Sequence, residues 1–148
     1  MKEEEKYYTP SIEEFYVGFE YEWNNSNEDD IWRPVIGDNE FNFHAIVEIQ
    51  NELDDINYRV KYLDKSDIEE LGWFLDTNIG KSWYYSHVNN IGDKSLFAKT
   101  KDYYLDTTDF KEIVIHNDGD YDDRTNYFQG TIKNKSELKK LMQQIGIL

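Results

Sequence analysis

Cysteine is absent from the chain, which excludes a disulfide framework, a thiol nucleophile and a Cys-ligated zinc site. Proline occurs only at positions 10 and 34, alanine only at 45 and 98, and arginine at three positions against thirteen lysines. Asn and Ile are abundant, and with Lys and Tyr they have AT-rich codons. An AT-rich genome gives this bias without selection on function, so abundant Tyr and Asn are weak evidence for a binding surface. Positive charge is scarce, with 16 Lys and Arg against 31 Asp and Glu and a net charge of −15. That balance argues against a broad basic surface for nucleic-acid phosphates, and no direct nucleic-acid binding is expected. No apolar run approaches the length of a membrane span, and Met1-Lys2-Glu3-Glu4-Glu5 lacks the pattern of a signal peptide. The expectation is a cytoplasmic protein with no membrane partner.

What the chain does have is aromatic side chains, 16% of its 148 residues, so disorder throughout is excluded. The length suits one domain over 1–148, and neither an internal repeat nor a Pro/Gly/Ser-rich linker divides it. Charge is uneven. Residues 1–60 hold 16 acidic and 4 basic residues, a balance of −12, whereas residues 124–148 hold one acid, Glu137, and five bases. A basic end docked against an acidic body would relieve self-repulsion.

The periodicities predict an α+β fold, mostly an antiparallel sheet of meander type, with two or three short helices and a C-terminal helix packed on it. Thr9–Phe15 reads as a helical turn, with Thr9 as cap and Pro10 at its first position. Val17, Phe19, Tyr21 and Trp23 alternate with Gly18, Glu20 and Glu22, the pattern of a half-buried strand with a core face and a wet face. Residues 24–30 read as a loop, and Ile31–Ile36 as a strand kept to an edge or bulge by Pro34. Residues 41–53 fit both periods, with a lean towards helix. Tyr58–Leu63 is a strand, followed by a helix Lys65–Leu71 with Asp64 as cap, a Leu63/Ile68 staple and Gly72 as stop. Short strands follow near Trp73–Leu75, Ser82–His87, Leu96–Lys99, Tyr103–Leu105, Ile113–His116 and Asn126–Lys133. A last helix, Lys135–Ile145, is capped by Asn134 and ends at Gly146, and Leu138, Leu141, Met142 and Ile145 form its apolar stripe.

Chemistry-bearing patterns are sparse. His44, His87 and His116 stand at no metal-binding spacing and read as ordinary structural or exposed histidines. Asp118, Asp120 and Asp122 alternate as in the opening of a calcium loop, but Asp123 stands where its Gly belongs and Gln129 where its closing Glu belongs. The three are weak metal candidates, no calcium binding tighter than about millimolar is expected, and no cofactor is expected. Glu20 and Glu22 share a strand face, as paired acid–base carboxylates would, but two acids on a wet face are common. P-loop, dinucleotide, nucleophile-elbow and kinase signatures are lacking. Lys133, Lys135, Lys139 and Lys140 cluster at the last helix, where lysines also complement the helix dipole.

Three segments carry a resemblance. They are Tyr8-Thr9-Pro10-Ser11-Ile12-Glu13-Glu14-Phe15 with Gly18-Phe19-Glu20-Tyr21-Glu22, Arg59 through Trp73, and Phe128 through Leu138. Together they resemble small uncharacterised bacteriophage and mobile-element proteins of Bacteroidetes. The resemblance brings no catalytic residue. It implies a phage-accessory setting and the host cytoplasm as location. The leading expectation is therefore a non-enzymatic accessory protein acting through contact with a basic host or phage protein. Its candidate contact residues are Glu20, Glu22, Glu28, Asp29, Asp30 and, as aromatic anchor, Trp32, with Trp23 assigned to the core. A narrower version is a nucleic-acid mimic that inhibits a basic protein. The alternatives are a small metal-dependent enzyme using Glu20, Glu22 or the 118–123 carboxylates, and a minor virion component.

Overall fold

A computed structural model describes residues 6–29, 31–37, 56–89, 101–118 and 124–148. The chain forms two compact units, Met1–Tyr62 with Asn134–Ser136, and Leu63–Lys133 with Glu137–Leu148. The antiparallel α+β class is present, but as two sheets rather than one continuous meander. Among the described residues there are two α-helices and one 3-10 turn. The possible helix over 41–53, the strand Leu96–Lys99, and Gly92 and Gly119 lie outside the described residues.

The first unit holds β1 (Tyr7–Tyr8), β2 (Glu20–Asn25), β3 (Arg33–Ile36) and β4 (Ile56–Lys61), in the order β1-β4-β2-β3 with every pairing antiparallel. Pro34 sits on β3, an edge strand among the described residues, opposite Glu22, where its missing N–H costs no ladder bond with β2. The 3-10 turn Ile12–Glu14 precedes β2. Its cap is reciprocal and differs from the expected Thr9 cap. The Ser11 N–H donates to the Glu14 carboxylate at 2.7 Å, and the Glu14 N–H donates to the Ser11 carbonyl at 3.1 Å.

β2 starts later than the alternation suggests. Gly18 takes φ +95°, a left-handed conformation that turns the chain before the strand, so Val17 leaves the core face and is 56% exposed while Phe19 is 1% exposed. The core of this unit is Phe15, Phe19 and Val60, with Tyr8, Tyr16 and Tyr21 packed against it. Its rings meet edge-on, Phe15 with Phe19 at 5.2 Å and with Tyr21 at 5.1 Å, as ring quadrupoles prefer. Trp23, assigned to the core from the sequence, is only half-buried and carries the Arg33 guanidinium 5.2 Å from its ring. Asn24, expected in a loop, is buried in the strand, where its side-chain oxygen accepts from the Asn57 amide at 3.0 Å.

The second unit holds α1 (Lys65–Glu70), β5 (Phe74–Ile79), β6 (Ser82–Asn89), β7 (Lys101–Thr108), β8 (Glu112–Asp118), β9 (Arg124–Thr131) and most of α2 (Lys135–Ile145). Its five strands pair in sequence order as a meander, with β6 directly beside β7, where the sequence pattern sets the strand Leu96–Lys99 between them. Asp64 caps α1 in a full capping box with Asp67, and Leu63 and Ile68 are both buried, as the staple requires. Gly72, at φ +92°, ends the helix.

Tyr85, Leu105, Ile113 and Ile115 of the sheet's inner face are fully buried with Trp73, Leu138 and Met142, and the Trp73 indole N–H points at the Met142 sulfur, 3.3 Å away. In α2 the expected stripe splits. Leu138 and Met142 are fully buried, whereas Leu141 and Ile145, both expected in the core, are half-buried against it. Glu137 accepts from the Lys133 N–H at 2.7 Å, while the Asn134 amide donates to the Tyr8 hydroxyl at 2.9 Å.

Candidate functional site

The alternation of β2 places Glu20 and Glu22 on the face opposite Tyr21, and pairing with β4 brings Arg59 directly across from Glu22. The Arg59 Nε donates to the Glu22 carboxylate at 2.8 Å. The Arg59 guanidinium lies 3.8 Å from the Tyr7 ring centre and 4.1 Å from that of Trp32. One cation is thus held by two aromatic faces and one carboxylate. Stacking leaves the planar guanidinium pre-organised, and each ring contributes on the order of 0.5–2 kcal/mol according to its desolvation. Arg59 keeps 18% and Glu22 28% of their side-chain surface, so the pair is partly sheltered from water.

The other sequence candidates are distributed around this group. Glu20 faces Lys135 at 3.9 Å, and its backbone N–H donates to the Ser136 hydroxyl at 2.9 Å. In the turn after β2, Asp29 grips Arg33 through both carboxylate oxygens and also accepts from the Ile31 N–H at 3.1 Å. The hydrogen bond from Arg33 holds the Asp29 carboxyl below the usual range, and Asp29 in turn raises Arg33. Glu28 is exposed in the same turn. Trp32 is half-buried and brought to Glu22 through Arg59. Asp30, Asp120 and Asp122 lie outside the described residues, as does the side chain of Asp118. Three of the proposed contact acids, Glu20, Glu22 and Asp29, therefore meet cations. Of the sixteen acids in residues 1–60, only Glu13, Glu14, Glu20, Glu22, Glu28 and Asp29 are described, so most of that stretch's excess charge lies elsewhere.

Sequence reasoning missed the role of Arg59 and Tyr7. The signal was available in part: Arg59 alternates with Tyr58 and Val60 and so points to the wet face, but nothing local says which strand lies beside it.

A second polar group, also unforeseen, sits on the sheet of the other unit. His116 Nε2 lies 3.0 Å from Asp106 Oδ2, the Tyr104 ring stacks on the imidazole at 5.5 Å, and Arg124 Nη2 is 3.9 Å from the same carboxylate oxygen. Tyr104 pairs with His116 across β7 and β8, and Asp106 is two residues along the same face, so the alternation carries all three to one side. A carboxylate on one imidazole nitrogen orients the ring. The cluster is an ordered Asp–His–Arg arrangement, with His116 buried.

His87 is placed differently. Its ring meets Trp73 edge-on at 5.1 Å and covers Gly72, its Nδ1 has no hydrogen-bond partner, and desolvation lowers its pKa against the opposing effect of a hydrogen bond to the Leu71 backbone. His44 lies outside the described residues. Among the described residues no three His, Asp or Glu side chains converge to hold a metal ion, and no helix is long and apolar enough to cross a membrane. No family model, curated protein or solved structure matches the chain.

Proposed function

We propose that the chain is a non-enzymatic interaction protein of a bacteriophage or mobile element, and that it binds a host or phage protein through the outward face of its first sheet. The observation that carries this reading is the Tyr7–Arg59–Trp32 stack backed by Glu22. Tyr, Trp and Arg are the residues most often dominant in protein interfaces, because they supply large rigid contact area with a polar edge. Here they are held in one arrangement before any partner arrives, which lowers the ordering cost of association. Ile36, 64% exposed on the adjacent edge strand, extends the patch with apolar surface.

Contact rather than phosphate mimicry is the reading favoured. Mimicry needs rows of unpaired carboxylates, and Glu20, Glu22 and Asp29 each meet a cation. The metal-dependent alternative gains no support from Glu20 and Glu22, which meet Lys135 and Arg59 rather than a histidine.

The test is a pull-down from infected host cells, followed by affinity measurements with the recovered partner. Trp32→Ala and Arg59→Ala are each expected to weaken binding at least about tenfold, the scale of a hot-spot residue. Exposed Glu13→Gln on the same unit should leave it unchanged. Equal affinities for all three variants would remove this face from the proposal.

A further inference from the structure

The second sheet ends in β5, and among the described residues no strand pairs with its outer edge. All six β5 residues are exposed, including Phe74 at 67% and Ile79 at 69%. Proteins usually blunt such an edge with proline, lysine or a cover, because unpaired N–H and C=O groups template a further strand. β5 has no proline or lysine. It has one irregularity, a register shift between Leu75 and Thr77, with the Asp76 carboxylate accepting from the Ser86 hydroxyl at 3.1 Å.

That shift has a further geometric effect. Phe74 pairs with Ser86 and Ile79 with Ser82, and these serines share a face, so Phe74 and Ile79 lie on one side although five residues apart. Without the extra residue they would point to opposite faces.

We infer that β5 is a self-association edge, and that its occupant is β5 of a second copy, running antiparallel. Two copies related by a two-fold axis between Asp76 and Thr77 place Phe74 of one opposite Ile79 of the other, twice. Leu75 falls opposite Asn78, and Asp76 opposite Thr77. Each apolar residue of the outer face meets an apolar residue, and no like charges face each other. Such an isologous edge pairing joins two five-stranded sheets into one and closes, leaving no further edge at β5.

Charge also favours this segment. The chain carries −15, so copies repel over most of their surface, but residues 72–86 hold only Asp76 and Lys81 and are neutral in sum. A second copy presenting the same segment meets no net charge of its own sign there. The inference does not depend on the contact face of the first sheet.

Sedimentation velocity of the full chain from about 1 μM to about 1 mM tests it. A concentration-dependent dimer is expected. Phe74→Lys with Ile79→Lys should raise its Kd at least about tenfold, since like charges would then stand opposite each other across the interface. Both side chains are exposed, so circular dichroism and melting of the variant should match the native protein. A monomer over the whole range, or a dimer indifferent to the two lysines, would overturn the inference.

The register has its own readout, because the chain has no cysteine. A mixture of Phe74→Cys and Ile79→Cys proteins should form the mixed disulfide in preference to either self-disulfide. Equal yields of all three would overturn the antiparallel register.

Discussion

Gly72 illustrates how much one residue carries. It stops α1 at φ +92°, and a Cβ there would stand 2.9 Å from His87 Nε2, closer than real contacts allow. Gly72→Ala is therefore expected to cost roughly 1–3 kcal/mol in urea denaturation, combining backbone strain with displacement of the imidazole. Gly80→Ala is the control. It has φ +61° but nothing within 4 Å, so only the backbone cost applies and the loss should be smaller.

Tyr85 gives a second residue-level expectation. Its hydroxyl is buried without a hydrogen-bond partner, and desolvation, then the negative charges of Glu69 and Asp64, push its pKa up to about 12. An unpartnered buried hydroxyl is a cost, so Tyr85→Phe should melt no lower than the native protein at pH 7. Between pH 10 and about 12 the unfolded phenol ionises while the folded one does not. Native stability should fall across that window, and the Phe variant should lack this component.

His87 acts at the other end of the scale. Its folded pKa lies below the ordinary 6.5, so as pH falls below 6.5 the unfolded state takes up the proton first. Stability then declines towards the folded pKa, and His87→Gln should remove that part of the slope.

At the scale of elements, α2 separates periodicity from burial. Four apolar residues repeat at helical spacing, yet only Leu138 and Met142 are fully enclosed. Leu138→Ala is expected to cost about 2–5 kcal/mol, as for a fully packed leucine, and Leu141→Ala clearly less, because water already reaches its side chain. Chemical denaturation of the two variants checks the order. The capping box of α1 offers a smaller effect. Asp64→Ala removes the acceptor of the Asp67 N–H, 3.1 Å away, and should cost about 1 kcal/mol.

The hairpin between β7 and β8 shows what elements conceal from sequence. Asp109 and Phe110 both take positive φ, 53° and 59°, where Asn-Gly would be the usual choice. Phe110 packs on Trp83 at 5.3 Å, so a ring contact offsets an unfavourable backbone.

For the whole molecule, salt separates the two proposed associations by sign. Two copies at −15 repel each other, and salt screens that repulsion, so self-association through β5 should strengthen as ionic strength rises. Contact with a basic partner should behave oppositely, its on-rate falling as salt rises. Neutralising Glu28, Asp29 and Asp30 to Gln or Asn should slow association with that partner, while Trp32→Ala acts mainly on dissociation. Stopped-flow rates at low and high salt measure both effects. An on-rate indifferent to salt and to the loop substitutions would mean that the acidic loop does not steer the partner.

Local signals determined much of the fold on their own. The Asp64 cap, the Leu63/Ile68 staple and the bounds of α2 all rest on spacings of a few residues. Each of these is a short-range preference that the chain expresses wherever it lies. Tertiary structure decided the rest. It divided the strands between two sheets, turned Val17 out of the core at Gly18, and left Trp23 half-buried beside Arg33. It also assembled Tyr7, Arg59, Trp32 and Glu22 from four separate stretches of chain, and carried Asp106 and His116 to one face of neighbouring strands. Alternation tells which side a residue faces, but not which strand lies next to it. That choice is made by long-range pairing and burial, which no local spacing encodes.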